Sequence, residues 1–181
     1  MHAAEQLFST HGYAAVSLRQ IAQALQLTKS SLYNHAPGGK QELFLAVMER
    51  SLVRHRLGLE QATHTAPPEL RAQLQAMAHW LLSQPPLNMQ RMQVSDLPAL
   101  APGEAERVMQ LVYQSLFGPI ERVVQAAALR GEAIGGHAGM LAGTFLVSVE
   151  AFRELTVRYG MPMEVMVNNL ITLLIKGVEP R

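Results

Sequence analysis

Residues 17–35 read SLRQIAQALQLTKSSLYNH, and their spacing decides what this end of the chain can be. Ser17 followed three residues on by Gln20 is a capping box, a side-chain pair that satisfies the free N–H groups at a helix start. Ile21, Ala22 and Leu25 then recur at helical spacing. Thr28 is a second N-cap, separated from the first helix only by the connection Gln26-Leu27. Two helices joined this tightly must cross steeply, which is helix-turn-helix geometry. In it Ala22 permits close approach, Leu27 plugs the turn and Leu32 anchors the second helix from inside. The outward side of that helix carries Lys29, Ser30, Tyr33 and Asn34, with Thr28 and His35 at its ends. Short hydrogen-bonding groups, one cation and no acid suit the major groove of DNA.

Working outward, Ala4, Leu7 and Phe8 lie at helical spacing before the capping box and can share one small core with Ile21, Ala22, Leu25 and Leu32. Gly12 is expected to stop the first helix in a left-handed conformation. On the other side, Pro37-Gly38-Gly39 breaks the chain, and Lys40 opens a long helical pattern.

Leu7-Phe8, Gly12-Tyr13, Ser17, Ile21-Ala22, Leu27-Thr28, Leu32-Tyr33-Asn34-His35, Pro37-Gly38-Gly39-Lys40 and Glu42-Leu43 together resemble the amino-terminal signature of the tetracycline-repressor-like (TetR) family of transcription regulators, over about residues 3 to 48. The resemblance implies that Ser17, Tyr33, His35 and Lys40 hold phosphates, and that Thr28, Lys29, Ser30 and Asn34 lie on or beside a base-reading face. Two positions depart from the pattern. Gln26 stands where the turn normally has Gly, and a left-handed Gln costs on the order of 1 kcal/mol relative to Gly. Ala36 stands where an aromatic normally follows the His, leaving less packing under the fourth helix. The chain also begins almost inside its first helix, where the family usually has several residues, often basic.

The rest of the chain reads as helix between breakers, with no apolar–polar alternation long enough for a strand. The expected helices lie near 3–11, 17–25, 28–35, 39–63, 68–84, 88–95, 104–131, 136–159 and 162–176, about nine in an all-α fold. Gly118-Pro119 falls inside the longest pattern, so a kink is expected near residue 115. The change from short to long helices places a domain boundary near residue 45. This gives a helix-turn-helix DNA-binding domain at 1–45 and a helical effector-binding and dimerisation domain at 46–181.

Composition supports these expectations and excludes others. The 181 residues are 49% apolar, enough for a real core, and contain no Cys, which removes disulfides, thiolate metal sites and Cys nucleophiles. Residues 1 to 56 hold six Lys or Arg against three Glu, whereas residues 57 to 181 hold nine against eleven acids. The basic surplus therefore sits at the DNA-facing end. No stretch has the length of a transmembrane span and the first residues lack a secretory signal pattern, so the expectation is a soluble cytoplasmic protein without a membrane partner.

No nucleophile with its base, phosphate loop or paired acids points to an enzyme, and no catalytic residue or cofactor is assigned. His64, His79 and His137 fall on different helices without ligand spacing, so no metal is expected. Met77, Trp80, Met109, Phe117 and Phe145 could line a pocket for an apolar effector, together with Met89, Met92 and Met140, although such residues are more often simply packed core. The helices near 136–159 and 162–176 carry Leu141, Phe145, Val149 and Phe152, and Val165, Val167, Leu170, Ile171, Leu174 and Ile175. They are expected to face a partner subunit, with Gly139 and Gly143 allowing close approach, although an intrachain core would use the same residues.

The expected function is thus a homodimeric regulator, more a repressor than an activator, that binds a double-stranded DNA operator and is released by a small-molecule effector. The alternative is a helix-turn-helix-shaped interaction module that no longer binds DNA.

Overall fold

Helix starts are set where side chains can cap them, and the computed structural model follows those signals closely. It describes residues 2–133 and 135–178, with the side chains at positions 2, 29 and 35 outside what it describes. The helices are α1 (His2–Ala15), α2 (Leu18–Ala24), α3 (Lys29–His35), α4 (Gly39–Thr65), α5 (Leu70–Ser83), α6 (Met89–Arg91), α7 (Pro102–Val112), α8 (Gly118–Leu129), α9 (Ala138–Tyr159) and α10 (Met163–Val178). No strand occurs among the described residues, so the fold is all-α. Most helix ends fall within two residues of their expected places.

Two departures are instructive. The first concerns α1, which does not stop at Gly12. Gly12 takes φ 80° and ψ 170°, a region beyond the left-handed helix that essentially only Gly occupies, and helical residues resume after it. The helix turns a corner instead of ending.

The second concerns the kink expected near residue 115. It is a π-helical turn over Tyr113–Phe117, in which the Gly118 N–H reaches back five residues to the Tyr113 carbonyl. A matching π-turn spans Met92–Asp96, with the Leu97 N–H on the Met92 carbonyl. Each is followed at once by an X-Pro pair, Leu97-Pro98 or Gly118-Pro119. Proline has no N–H to donate and its ring crowds the carbonyl four residues back, so a widened turn before it relieves the clash.

The chain divides into two compact units, one formed by Met1–Val53 with Pro85–Leu111 and the other by Arg54–Gln84 with Val112–Arg181. In the first unit Ala4, Phe8, Ile21, Ala22, Leu32, Phe44 and Val47 are buried, together with Met92, Leu97 and Val108 from the later segment. Phe8 meets Phe44 edge-on at 5.2 Å, and Tyr13 meets it at 4.9 Å. Leu7 and Leu25, expected in this core, are only half-buried.

The second unit packs α5 against α8, α9 and α10. Phe145, Leu74, Met77, Leu116, Ile120, Leu141 and Ile171 are fully enclosed there, each such side chain stabilising the fold by roughly 1.5–3 kcal/mol. Arg153 donates to the carbonyls of Leu81, Leu82 and Gln84, and so closes the carboxyl end of α5.

Five of the ten expected subunit-facing residues are corrected by this packing. Leu141, Phe145, Val149, Val167 and Ile171 are buried within their own chain. Val165, also among the expected residues, is 50% exposed, and α9 and α10 further leave Met140, Val147, Val157 and Leu173 in solvent, exposed by 69%, 63%, 88% and 70%.

Candidate nucleic-acid interface

The turn between α2 and α3 is built from the bottom by its caps. The Ser17 N–H donates to Gln20 Oε1 at 2.8 Å, the Gln20 N–H donates to Ser17 Oγ at 3.3 Å, and the capping box is complete. Thr28 Oγ1 accepts the Ser31 N–H at 3.1 Å and starts α3. Between them the Leu25 N–H reaches the Ile21 carbonyl at 2.9 Å and the Leu27 N–H reaches that of Ala22 at 2.8 Å. Closing so short a turn needs one left-handed residue, and Gln26 takes it at φ 56°. Ala22 and Leu32 are buried at the crossing as expected, whereas Leu27 remains 36% exposed. The turn is therefore closed by backbone bonds and by Ala22 and Leu32, more than by a Leu27 plug.

With Leu32 pointing inward, Thr28, Ser30, Tyr33 and Asn34 are exposed on the other side of α3. Tyr33 is 43% exposed, and one edge of its ring lies beside Gly39, where an added Cβ would stand 3.8 Å from Cε1. The expected residues Lys29 and His35 have side chains outside the described residues. Ser17 is exposed at the start of α2. Arg19, also exposed on α2, was not singled out in the sequence. Among the described residues it makes no hydrogen bond or ion pair, and it stands two residues after the N-cap of α2.

Lys40 does more than carry charge. Its ammonium donates to the Tyr13 carbonyl at 2.9 Å and to that of Ala14 at 3.5 Å, and lies 4.4 Å from the Tyr13 ring centroid. It thereby ties the end of α1 to the start of α4. The Glu42 carboxylate accepts the Gly38 N–H at 2.6 Å, so the first turn of α4 already holds an anion of its own.

The end of α1 is held from a second direction. The corner at Gly12 takes the Tyr13 N–H away from the Ser9 carbonyl that a straight helix would give it, and that N–H donates to Asp96 Oδ1 at 2.7 Å. The Arg91 guanidinium donates to the carbonyls just before the corner, those of Phe8 at 3.0 Å, Ser9 at 2.6 Å and Thr10 at 3.0 Å. No Cβ fits at Gly12, since it would stand 2.9 Å from Arg91 Cδ and 3.0 Å from Asp96 Oδ1.

The five residues expected to line an effector pocket are placed as follows. Met77 and Phe145 are fully buried in the second unit. Trp80 lies half-buried against Gly58 of α4, and its Nε1 is buried without a partner. Phe117 stacks on Tyr113 with ring centroids 6.1 Å apart. Met109 belongs to the first unit and is 37% exposed. An open recess of about 440 Å³ in the second unit is lined by other residues, among them Glu60, His64, Gln73, Pro119 and Arg122. A groove of about 630 Å³ in the first unit runs along Gln41, Leu45, Glu49, Glu104 and Arg107. Among the described residues no three His, Asp or Glu side chains come together as a metal site. No described helix is long and apolar enough to cross a membrane.

Compared with known proteins, residues 1–47 match the family model of bacterial regulatory proteins, tetR family. No curated protein is matched. Solved structures with the same fold include a protein of Saccharomonospora viridis described as a transcriptional regulator and solved in complex with choline, 16% identical with a TM-score of 0.76, covering 99% of this chain and 95% of that one. A TetR transcriptional regulator of Legionella pneumophila is 19% identical with a TM-score of 0.73, over 98% and 94% of the two chains. The fatty acid degradation regulator FadR of Bacillus halodurans is 14% identical with a TM-score of 0.72, over 97% and 96%. At these identities the likeness is one of fold. Residues 1–47, which form the helix-turn-helix, thus match the model of the tetR family, and the all-α fold of the whole chain is similar to that of solved TetR regulators.

Proposed function

We propose that the chain is a homodimeric transcriptional repressor, cytoplasmic and without catalytic activity, that a small molecule releases from its operator. The observation that carries this reading is the outward side of α3. There Thr28, Ser30, Tyr33 and Asn34 stand in solvent on a helix whose start is capped and whose inner side is anchored by Leu32. Thr28, Lys29, Ser30 and Asn34 read base edges, while Ser17, Tyr33, His35 and Lys40, joined by Arg19, hold phosphates. Residues 1–45 are the reading head, and residues 46–181 bind the effector and dimerise.

The exposed apolar side chains of α9 and α10 support a partner subunit on that side. Two recognition helices in a dimer must span successive major-groove faces about 34 Å apart. An effector that binds better when they are misplaced lowers DNA affinity by linkage. Helix α4, which continues from the first unit into the second, is the lever. Met77, Trp80, Met109, Phe117 and Phe145 remain the candidates for effector contact.

A salt series of binding to the DNA that flanks the chain's own gene tests this. The expected result is affinity that falls steeply with salt, as neutralised phosphates require, and that is lost in Lys29→Ala and Tyr33→Ala. Absence of binding even at low salt would favour an interaction module that keeps the helix-turn-helix shape alone.

A further inference from the structure

Arg91 and Asp96 do not touch the exposed side of α3, yet they complete the backbone of the domain that carries it. The corner at Gly12 turns the N–H of Tyr13 off the helical ladder and leaves the Ser9 carbonyl without it, and a part-buried backbone group without a partner is costly. That N–H, the Ser9 carbonyl and the neighbouring carbonyls of Phe8 and Thr10 are all bonded by two side chains 81 to 83 residues further along the chain. The two side chains also face each other, Arg91 Nε lying 3.6 Å from Asp96 Oδ2, and Asp96 is only 5% exposed. Their own positions are fixed as well. Asn88 Oδ1 caps Arg91 through its N–H at 2.8 Å, and the π-turn Met92–Asp96 sets how far Asp96 stands from Arg91.

From the corner of α1 the chain of contacts is short. Tyr13 accepts Lys40 at its carbonyl, and its ring meets Phe44, so the Arg91–Asp96 clamp and the start of α4 hold the same residue. Every one of these residues lies in the first compact unit. We infer that Arg91 and Asp96 are positioning residues for DNA binding: the Asn88–Asp96 turn sets the placement of α1, and through Tyr13 and Lys40 that of the helix-turn-helix, so that a change in this turn changes DNA affinity without touching DNA. The inference rests on the DNA-binding reading above.

The test uses the full chain carrying Arg91→Ala, Arg91→Lys or Asp96→Asn, with Tyr33→Ala as the contact control. Two quantities are read, affinity for the DNA bound by the unaltered protein as a function of salt, and hydrogen exchange at the Tyr13, Leu27 and Leu32 amides. Arg91→Ala is expected to lower affinity about tenfold or more, as loss of several charge-assisted bonds would, with the salt slope unchanged because no phosphate contact is removed. The Tyr13 amide should lose protection while Leu27 and Leu32 keep theirs, which separates misplacement from general unfolding. Arg91→Lys should recover only part of the affinity, since an ammonium cannot span the same carbonyls as a planar guanidinium. Asp96→Asn should weaken binding severalfold. Tyr33→Ala should lose DNA without altering Tyr13.

Wild-type affinity in a folded Arg91→Ala protein would overturn the inference alone, as would loss of protection spread equally over all three amides. If Arg91→Ala does not fold, the same criteria apply to Arg91→Lys and Asp96→Asn. An unaltered protein that binds no DNA at low salt would remove the DNA-binding reading itself, and the positioning role with it.

Discussion

Gly58 lies in the middle of α4, where Ala would ordinarily be an improvement of roughly 0.8–1 kcal/mol. Here the indole of Trp80 presses on the helix backbone, so a Cβ at position 58 would stand 1.9 Å from Cε2 and 2.0 Å from Cζ2. No carbon atoms approach so closely, and a rigid two-ring system cannot yield by bending. It must swing off α4, giving up packing worth roughly 1.5–3 kcal/mol or forcing overpacking of about 1–3 kcal/mol. Set against the gain in helix propensity, Gly58→Ala should destabilise the protein by about 1–2 kcal/mol.

The chain has a single Trp, so urea unfolding followed by its fluorescence reads the same site that is perturbed. With a slope of about 2 kcal/mol/M the midpoint should fall by roughly 0.5–1 M. The sign should reverse once the ring is gone: in a Trp80→Leu background, followed by circular dichroism, Gly58→Ala should be neutral to stabilising by up to about 1 kcal/mol. Stability equal to or above wild type for Gly58→Ala alone, or the same cost in both backgrounds, would refute the packing of Trp80 on α4.

Three further outcomes follow from the local geometry. Gln26→Gly should raise stability by about 1 kcal/mol in denaturant unfolding, because Gly occupies φ 56° without the Cβ penalty. Ser17→Ala removes half of the capping box and should cost about 1 kcal/mol in the same assay, with a parallel loss of DNA affinity. Glu132 is held below the usual glutamate range, first by its hydrogen bond with Arg130 and then by accepting the Leu70 N–H at the start of α5. A depressed carboxylate contributes stability that is present above its unfolded value and lost as pH falls through its folded one. Unfolding measured across pH should therefore show a shallower acid limb in Glu132→Gln than in the unaltered protein, confined to pH below the ordinary glutamate value.

Local chemistry was legible in the sequence. Ser17 with Gln20, Thr28 and the left-handed Gln26 are decided within a few residues of themselves, and the structure places all three as expected. The proline at position 119 announced a distortion, though not that the helix would absorb it as a π-turn. Contacts between distant segments left no such trace. Nothing around Arg91 or Asp96 marks them as partners of a corner at Gly12, and nothing around Gly58 marks it as the bed of Trp80. Periodicity likewise identified α9 and α10 as strongly apolar but could not say which side was inward. The buried set proved to be Leu141, Phe145 and Ile171, with Met140, Val147 and Leu173 left outside.

The π-turn at Tyr113–Phe117 also bears on phase. Val112, Leu116, Ile120 and Val124 are all buried, a stripe written in three successive steps of four residues. In an unbroken α-helix each such step overshoots a full turn by about 40°, so the stripe would wind some 120° around the helix by its end. A turn closed over five residues instead of four takes back part of that drift, much as a leap day corrects a calendar. The helix from Pro102 to Leu129 thus accommodates a residue that a regular helix would not, and removing one residue there would rotate Ile120 and Val124 by about 100° relative to the residues before the turn.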